Sequence, residues 1–186
     1  MPKRGAEPAL RADARRNRAR VIAAAERAFA ADGVGVTTEE IARRAGVGVG
    51  TVFRHFATKE ALIAAVLGEQ LGRAAALIES HAADADPGAA FFTVLDRLIA
   101  DGAHKRDLID ALEGRGMNVR SAVGDASSRV RKAFTALLKR AQADGAVRAS
   151  VTAVDLMALL AAVSSATRAG ASPQRLLAIV SAGLRR

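Results

Sequence analysis

The chain has 186 residues, 51% of them apolar, a formal net charge of +9, and neither cysteine, tryptophan nor tyrosine. That length suits one domain, or a small module joined to a larger one, with enough apolar content for a real core. The missing thiols exclude a disulfide framework, a thiolate nucleophile and a cysteine-based zinc site, and the dominance of alanine, leucine and arginine with few prolines gives an all-α fold class.

The opening stretch, MPKRGAEPALRADARRNRAR, lacks the apolar segment of a secretory signal, and no apolar run approaches the ~20 residues of a membrane span, so the chain reads as cytoplasmic, with no membrane partner. Residues 1–10 are expected to form a disordered basic tail. From residue 11 onward helix periodicity sets in. Val21, Ile22, Ala25, Ala28 and Phe29 recur on one face of a first helix, which Gly33 ends in the left-handed conformation. Thr37 starts a second helix: Thr37 and Glu40 have capping-box spacing, and Val36 and Ile41 stand at the staple positions.

The glycine-rich run GVGVGT that follows invites comparison with phosphate-binding loops. Thr51 and Val52 stand where a phosphate loop needs its Lys-Ser/Thr pair, Phe53 stands where a dinucleotide fingerprint needs its third glycine, and no strand precedes it. The glycines do something else. Gly46 closes the second helix, Gly48 takes the N-cap of a third, and Val47 and Val52 staple that start. Two short helices joined by a tight glycine turn describe a helix-turn-helix, a module whose second helix enters the major groove of DNA. In the third helix Val52 and Phe56 face inward, leaving Val49, Gly50, Thr51, Phe53 and Arg54 on or beside the outer face. Glycine at position 50 costs about 1 kcal/mol of helix propensity, and its bare Cα lets the backbone approach a groove wall. Thr58 caps a long fourth helix with Lys59 in its first turn, where a cation opposes the helix dipole but would favour a nearby phosphate.

VIAAAERAFAADGVGVTTEEIARRAGVGVGTVFRHFATKEAL, within residues 16 to about 67, resembles the DNA-binding region of the tetracycline-repressor (TetR) family of bacterial transcription regulators. The resemblance implies that Thr37 and Thr38 approach a phosphate, that Val49, Gly50, Thr51 and Arg54 lie in the groove after Gly48, and that Phe53, His55 and Lys59 meet the DNA backbone. It departs from the family at Phe53, where tyrosine is usual, and at Gly48, where serine or threonine is common. From the residues alone, His55 and Phe53 are also open to structural roles, as the lesser alternative to DNA contact, and Arg43 and Arg44 read as a solvated face. The N-terminal arginines are expected to join Thr37, His55 and Lys59 at phosphates.

Beyond residue 67 the pattern stays helical, with candidates at 89–112, 119–143, 152–168 and 173–184 and a possible break near Gly102 to Arg106. The domain organisation is thus a tail (1–10), a three-helix helix-turn-helix domain (11–57) and a helical-bundle regulatory and dimerisation domain (58–186). The resemblance points to a homodimer interface through Leu156, Leu159, Leu160 and Val163 against Leu176, Ile179 and Val180, which an ordinary core would also explain. It points likewise to an effector cavity among Phe91, Phe92, Leu95, Leu98, Leu108, Leu112, Met117, Phe134 and Leu137. Nearby polar groups lean basic (His104, Lys105, Arg106, Arg115 and Arg120, with Asn118 neutral), so the unidentified effector is expected to be small and apolar, neutral or with one carboxylate. No cofactor or metal is called for.

Catalysis has little to work with. His55, His81 and His104 are scattered, no metal-binding or nucleophile-elbow motif occurs, and Asp107, Asp110 and Glu113 are interspersed with arginines. The expected function is a one-component regulator binding a near-palindromic double-stranded DNA operator as a dimer, by default a repressor. The alternatives are an architectural DNA binder without effector, or a helical enzyme.

Overall fold

The computed structural model describes residues 6–186, with the side chains of 6–10 and Ala103 left aside. Among the described residues there are ten α-helices and no strand, and the chain divides into two compact units, 1–66 and 67–186.

The first unit contains α1 (Ala6–Asp32), α2 (Thr38–Ala45), α3 (Val49–His55) and the start of α4 (Lys59–Ser80). α1 begins inside the segment expected to be a tail, of which residues 1–5 lie outside the described residues. Ala6, Ala9 and Leu10 favour helix, and Pro8 falls in the first turn, where no intrahelical partner awaits its missing N–H. Gly33 ends α1 at φ +76°, its N–H bonded to the Phe29 carbonyl at 3.1 Å. The core of this unit holds the expected Val21, Ile22, Ala25, Ala28 and Phe29 of α1, Val52 of α3 and Phe56, joined by Ile41, Ala42 and Ala45 of α2, all of them buried.

The second unit holds the rest of α4 with α5 (Pro87–Ala100), α6 (Gly102–Glu113), α7 (Val119–Ala122), α8 (Gly124–Ala143), α9 (Ala153–Arg168) and α10 (Pro173–Leu184). The stretch over 89–112, with its possible break near Gly102 to Arg106, is two helices, divided at Asp101. The break sits where α6 runs close to α9: a Cβ on Gly102 would lie 2.3 Å from Ser164 Oγ, so only glycine fits without displacing that side chain. The 119–143 stretch also divides, at Val123, which is buried with φ −130° and ψ 24° and therefore interrupts the helical ladder.

Phe91, Val94, Leu95, Leu98 and Ile99 form the apolar face of α5, and Val130, Phe134, Leu137, Leu138 and Ala141 that of α8. Their 3–4 spacing brings the two faces together, with the Phe91 and Phe134 rings stacked at 5.6 Å between centroids. Burial of each of these side chains larger than alanine is worth about 1.5–3 kcal/mol. Arg140 closes one end of this core, donating to the carbonyls of Ala82 and Asp84 after α4. The chain's end closes another: Val147 and Arg185 form an isolated antiparallel bridge, and the Arg185 guanidinium lies 3.9 Å from the Phe92 ring centroid.

α4 is long and apolar enough in composition to cross a membrane. Charged residues nevertheless punctuate it at Glu60, Glu69, Arg73 and Glu79, and Leu62, Ile63, Val66, Leu67, Ala75 and Ile78 along it are buried.

Candidate nucleic-acid interface

Thr37 is the N-cap of α2, its hydroxyl accepting from the Glu40 N–H at 3.2 Å. Only that half of the expected capping box forms. The Glu40 carboxylate instead takes two bonds from Arg43 and one from Arg44, at 2.6–2.7 Å. Charge-assisted bonds to guanidinium outcompete a neutral backbone donor. Those bonds, Arg43's first and then Arg44's, lower the Glu40 pKa to about 2, so the group stays ionised at any physiological pH. Arg44 also reaches Asp32 at 2.6 Å and ties α2 to the end of α1. Exposed pairs like these add little stability. They do occupy the two arginines that the sequence left as a solvated face.

Gly46 is the αL terminator of α2 (φ +63°, ψ 40°), with its N–H directed at the carbonyls of Ala42 and Arg43. Gly48 is the N-cap of α3, extended at φ −68° and ψ 146°, with no side chain to complete a capping bond. The turn therefore forms from glycine's backbone freedom at one position and an ordinary extended residue at the other. Thr58 in turn caps α4, accepting from the Ala61 N–H at 3.1 Å.

α3 presents the face expected of it. Val52 is buried, whereas Val49 is 39% and Phe53 48% exposed, and Gly50 and Arg54 are exposed beside them. Val49 and Phe53 thus leave apolar surface exposed on a helix of seven residues. Nothing lies within 4 Å of the position a Cβ would take on Gly50, so the fold itself does not require glycine there. Thr37 is exposed, while Thr38, Thr51, His55 and Lys59 are half-buried around the same helix ends. The structural reading of Phe53 as core is set aside by its exposure. His55 keeps both of its readings: its ring lies 6.2 Å from the buried Phe56 ring, at a tilt of 55°.

Sequence reasoning missed two residues. Arg20, counted among the N-terminal arginines expected at phosphates, donates to the carbonyls of Ala45 and Gly46. Arg18 lies 5.3 Å from the centroid of the Phe56 ring, within cation–π range. Helix periodicity puts Arg18 in line with Ile22, Ala25 and Phe29 and Arg20 on another side of α1, and nothing in the sequence says that a neighbouring helix end lies within reach of Arg20.

In the second unit, Phe91, Leu95, Leu98, Phe134 and Leu137, named for an effector cavity, belong to the hydrophobic core, and Leu108 and Leu112 are buried as well. Phe92 and Met117 are half-buried, Phe92 beneath the Arg185 guanidinium. Asn118 caps α7, accepting from the Ser121 N–H at 3.1 Å. Leu156 and Val163, named for a dimer interface, are buried in this unit's own core and are not available to a partner. Leu159, one helical turn from each of them, falls at the margin of that face, a difference which the repeat of apolar residues around that helix could not reveal. Leu160, Leu176 and Val180 are partly buried against the core, and Leu159 and Ile179 are 36% and 62% exposed. The carboxylates weighed for catalysis are paired: Asp110 with Arg106 at 2.6 Å and with Arg168, and Asp107 with Arg168 at 3.7 Å.

Residues 21–66 match the family model for bacterial regulatory proteins of the tetR family, and residues 86–186 match the C-terminal domain of SbtR-like transcriptional regulators. A TetR transcription regulatory protein from Mycobacterium vanbaalenii is 40% identical, the match covering 95% of this chain and 99% of that one at a TM-score of 0.76. A TetR transcriptional regulator from Streptomyces coelicolor is 33% identical over 90% of this chain and 98% of its own, with a TM-score of 0.72. The regulator FadR from Bacillus subtilis, solved in complex with stearoyl-CoA, shares the fold at 17% identity and a TM-score of 0.63, over 89% of this chain and 98% of that one. No curated protein matches the chain. A glycine-turned helix pair with an exposed second helix, continued by a helical unit that a family model matches along its length, has one explanation: this chain belongs to the TetR family of DNA-binding transcription regulators.

Proposed function

We propose that α3 reads base edges in the major groove through Val49, Gly50, Thr51 and Arg54, while Thr37, Thr38, Phe53, His55 and Lys59 hold the phosphate backbone about it and Gly48 brings the turn close. The observation that carries this reading is the exposed face of α3, where a bare glycine lies between an apolar contact surface and an arginine. Phe53 can pack on the sugar-phosphate wall but, lacking a hydroxyl, cannot donate to it. Reading and holding separate by mutation. Arg54→Ala should relax base preference at one position and cost roughly 1–3 kcal/mol, whereas Lys59→Ala should weaken all duplexes alike and reduce the salt slope by about one. Titrations of matched and singly changed duplexes at several salt concentrations check this. Equal weakening on every duplex by Arg54→Ala would assign it to the backbone instead.

The protein acts in this reading as a homodimer on a near-palindromic operator, and represses. Leu159 of α9 and Ile179 of α10 are its anchors, flanked by the exposed small residues Ala158, Ala161, Ala162, Ala178 and Ala182. A surface of that kind lets helices of a second copy approach closely around a few larger side chains. The double variant Leu159→Asp, Ile179→Asp should sediment as a monomer, because unpaired charge in an apolar interface is strongly unfavourable. Operator affinity should fall with it. An unchanged dimer mass would move the interface elsewhere.

The effector of this reading is a small, mainly apolar molecule bound in the second unit. Arg106, one of the basic groups considered for a ligand carboxylate, is already paired with Asp110 and Glu113. That favours the neutral end of the expected range. A ligand shifts such a regulator only as far as its affinity differs between the DNA-competent and incompetent states.

A further inference from the structure

Arg20 lies 25 residues before Ala45 in the sequence, yet its Nη2 donates to the Ala45 carbonyl at 2.7 Å and to the Gly46 carbonyl at 3.0 Å. These are carbonyls at the C-terminal end of α2, where intrahelical donors run out and the helix dipole leaves partial negative charge. Gly46 is built to receive the guanidinium. A Cβ there would lie 2.9 Å from Arg20 Nη2, so the bare Cα gives the positive φ of the turn and also leaves room for the arginine. Two residues on, Gly48 begins α3 without a capping side chain. α3 has seven residues, far fewer than a helix needs to persist alone in water, so its direction is inherited from the segments that flank it. At its far end the Phe56 N–H bonds to the Val52 carbonyl at 2.8 Å, and Arg18 lies over the Phe56 ring.

We propose that Arg20 is a positioning residue for DNA reading: from α1 it clamps the glycine turn between α2 and α3, and so fixes the direction in which α3 is presented to the groove. The proposal rests on α3 being the reading helix. Arg20 acts through hydrogen bonds to two backbone carbonyls rather than through charge offered to a phosphate. Its other terminal nitrogen, Nη1, is turned towards the Asn17 side chain at 3.5 Å. A loosened turn lets α3 sample several directions, which penalises the one pose that matches the right bases and leaves non-specific phosphate attraction intact.

The test compares full-length wild type with Arg20→Ala, Arg20→Lys and Arg54→Ala on the preferred duplex, a singly changed duplex and an unrelated duplex, each over a range of salt. Circular dichroism and melting accompany each protein. Arg20→Ala should lose about tenfold or more on the preferred duplex and far less on the unrelated one, with the salt slope unchanged. Arg20→Lys should recover most of the discrimination, since an ammonium can donate to both carbonyls. A slope lowered by about one with all duplexes weakened alike would make Arg20 a phosphate contact and overturn the proposal. Full discrimination by a folded Arg20→Ala protein would overturn it too. Should Arg20→Ala not fold, Arg20→Gln keeps an N–H donor without the charge: reduced discrimination at unchanged slope supports the clamp, and full discrimination together with a slope lowered by about one overturns it. Affinity and discrimination both unaltered by Arg54→Ala would instead count against α3 as the reader, and this failure is distinguishable from that of Arg20 itself.

Discussion

Gly50→Leu is expected to abolish specific duplex binding while making the protein slightly more stable. Gly50 lies inside α3 at an exposed position, and the protein offers nothing within 4 Å of an added Cβ. Gly50 is in the first turn of α3, so replacing it with a good helix former should gain at most the roughly 0.5–1 kcal/mol that applies in a helix interior. The same side chain would stand between the α3 backbone and the floor of the groove. The expected loss is at least about a hundredfold, or roughly 2.7 kcal/mol, on the preferred duplex. Melting curves and duplex titrations on one preparation check both signs together. Unimpaired binding would mean that Gly50 faces solvent in the complex and that α3 docks by another face.

Phe134→Ala is expected to cost about 3–5 kcal/mol and to lower the melting temperature by on the order of 10 °C. The ring is buried, stacks on Phe91 with only 6° between the planes, and sits among Leu95, Leu98 and Leu137. Its loss leaves a void that these neighbours fill only in part, and it forfeits the stacking contact as well. The measurement also separates core from effector cavity. Where a ring already borders an open space, truncating it sacrifices fewer contacts, and a cost near 1 kcal/mol would identify Phe134 as cavity lining.

Local signals made the helix-turn-helix legible. The Thr37 cap, the left-handed stops at Gly33 and Gly46 and the N-cap at Gly48 each depend on a few consecutive residues, and periodicity assigned Val52 and Phe56 inward. What could not be read depended on contacts between segments far apart in the chain. Arg20 resembles its neighbours Arg15 and Arg16 in composition, and only the fold shows that the α2 carbonyls lie within its reach. Glu40 carried the capping-box spacing, but two arginines one turn further on took its carboxylate. Leu156 and Leu159 are both leucines on one helix, and which of them faces the core depends on where α9 rests against its neighbours. A possible break near Gly102 could be read from the sequence, but the close approach of Ser164 of α9 that leaves no room for a Cβ there could not.

Whether α3 from each of two copies reads a two-fold symmetric DNA sequence is decided by selecting binders of the full-length protein from a pool of random duplexes. The enriched sequences are then titrated over a range of salt. Enrichment of an inverted repeat is expected, with an affinity that falls steeply as salt rises because several phosphate contacts from two heads each release counterions. A pool that enriches no sequence, or one without two-fold symmetry, would contradict it.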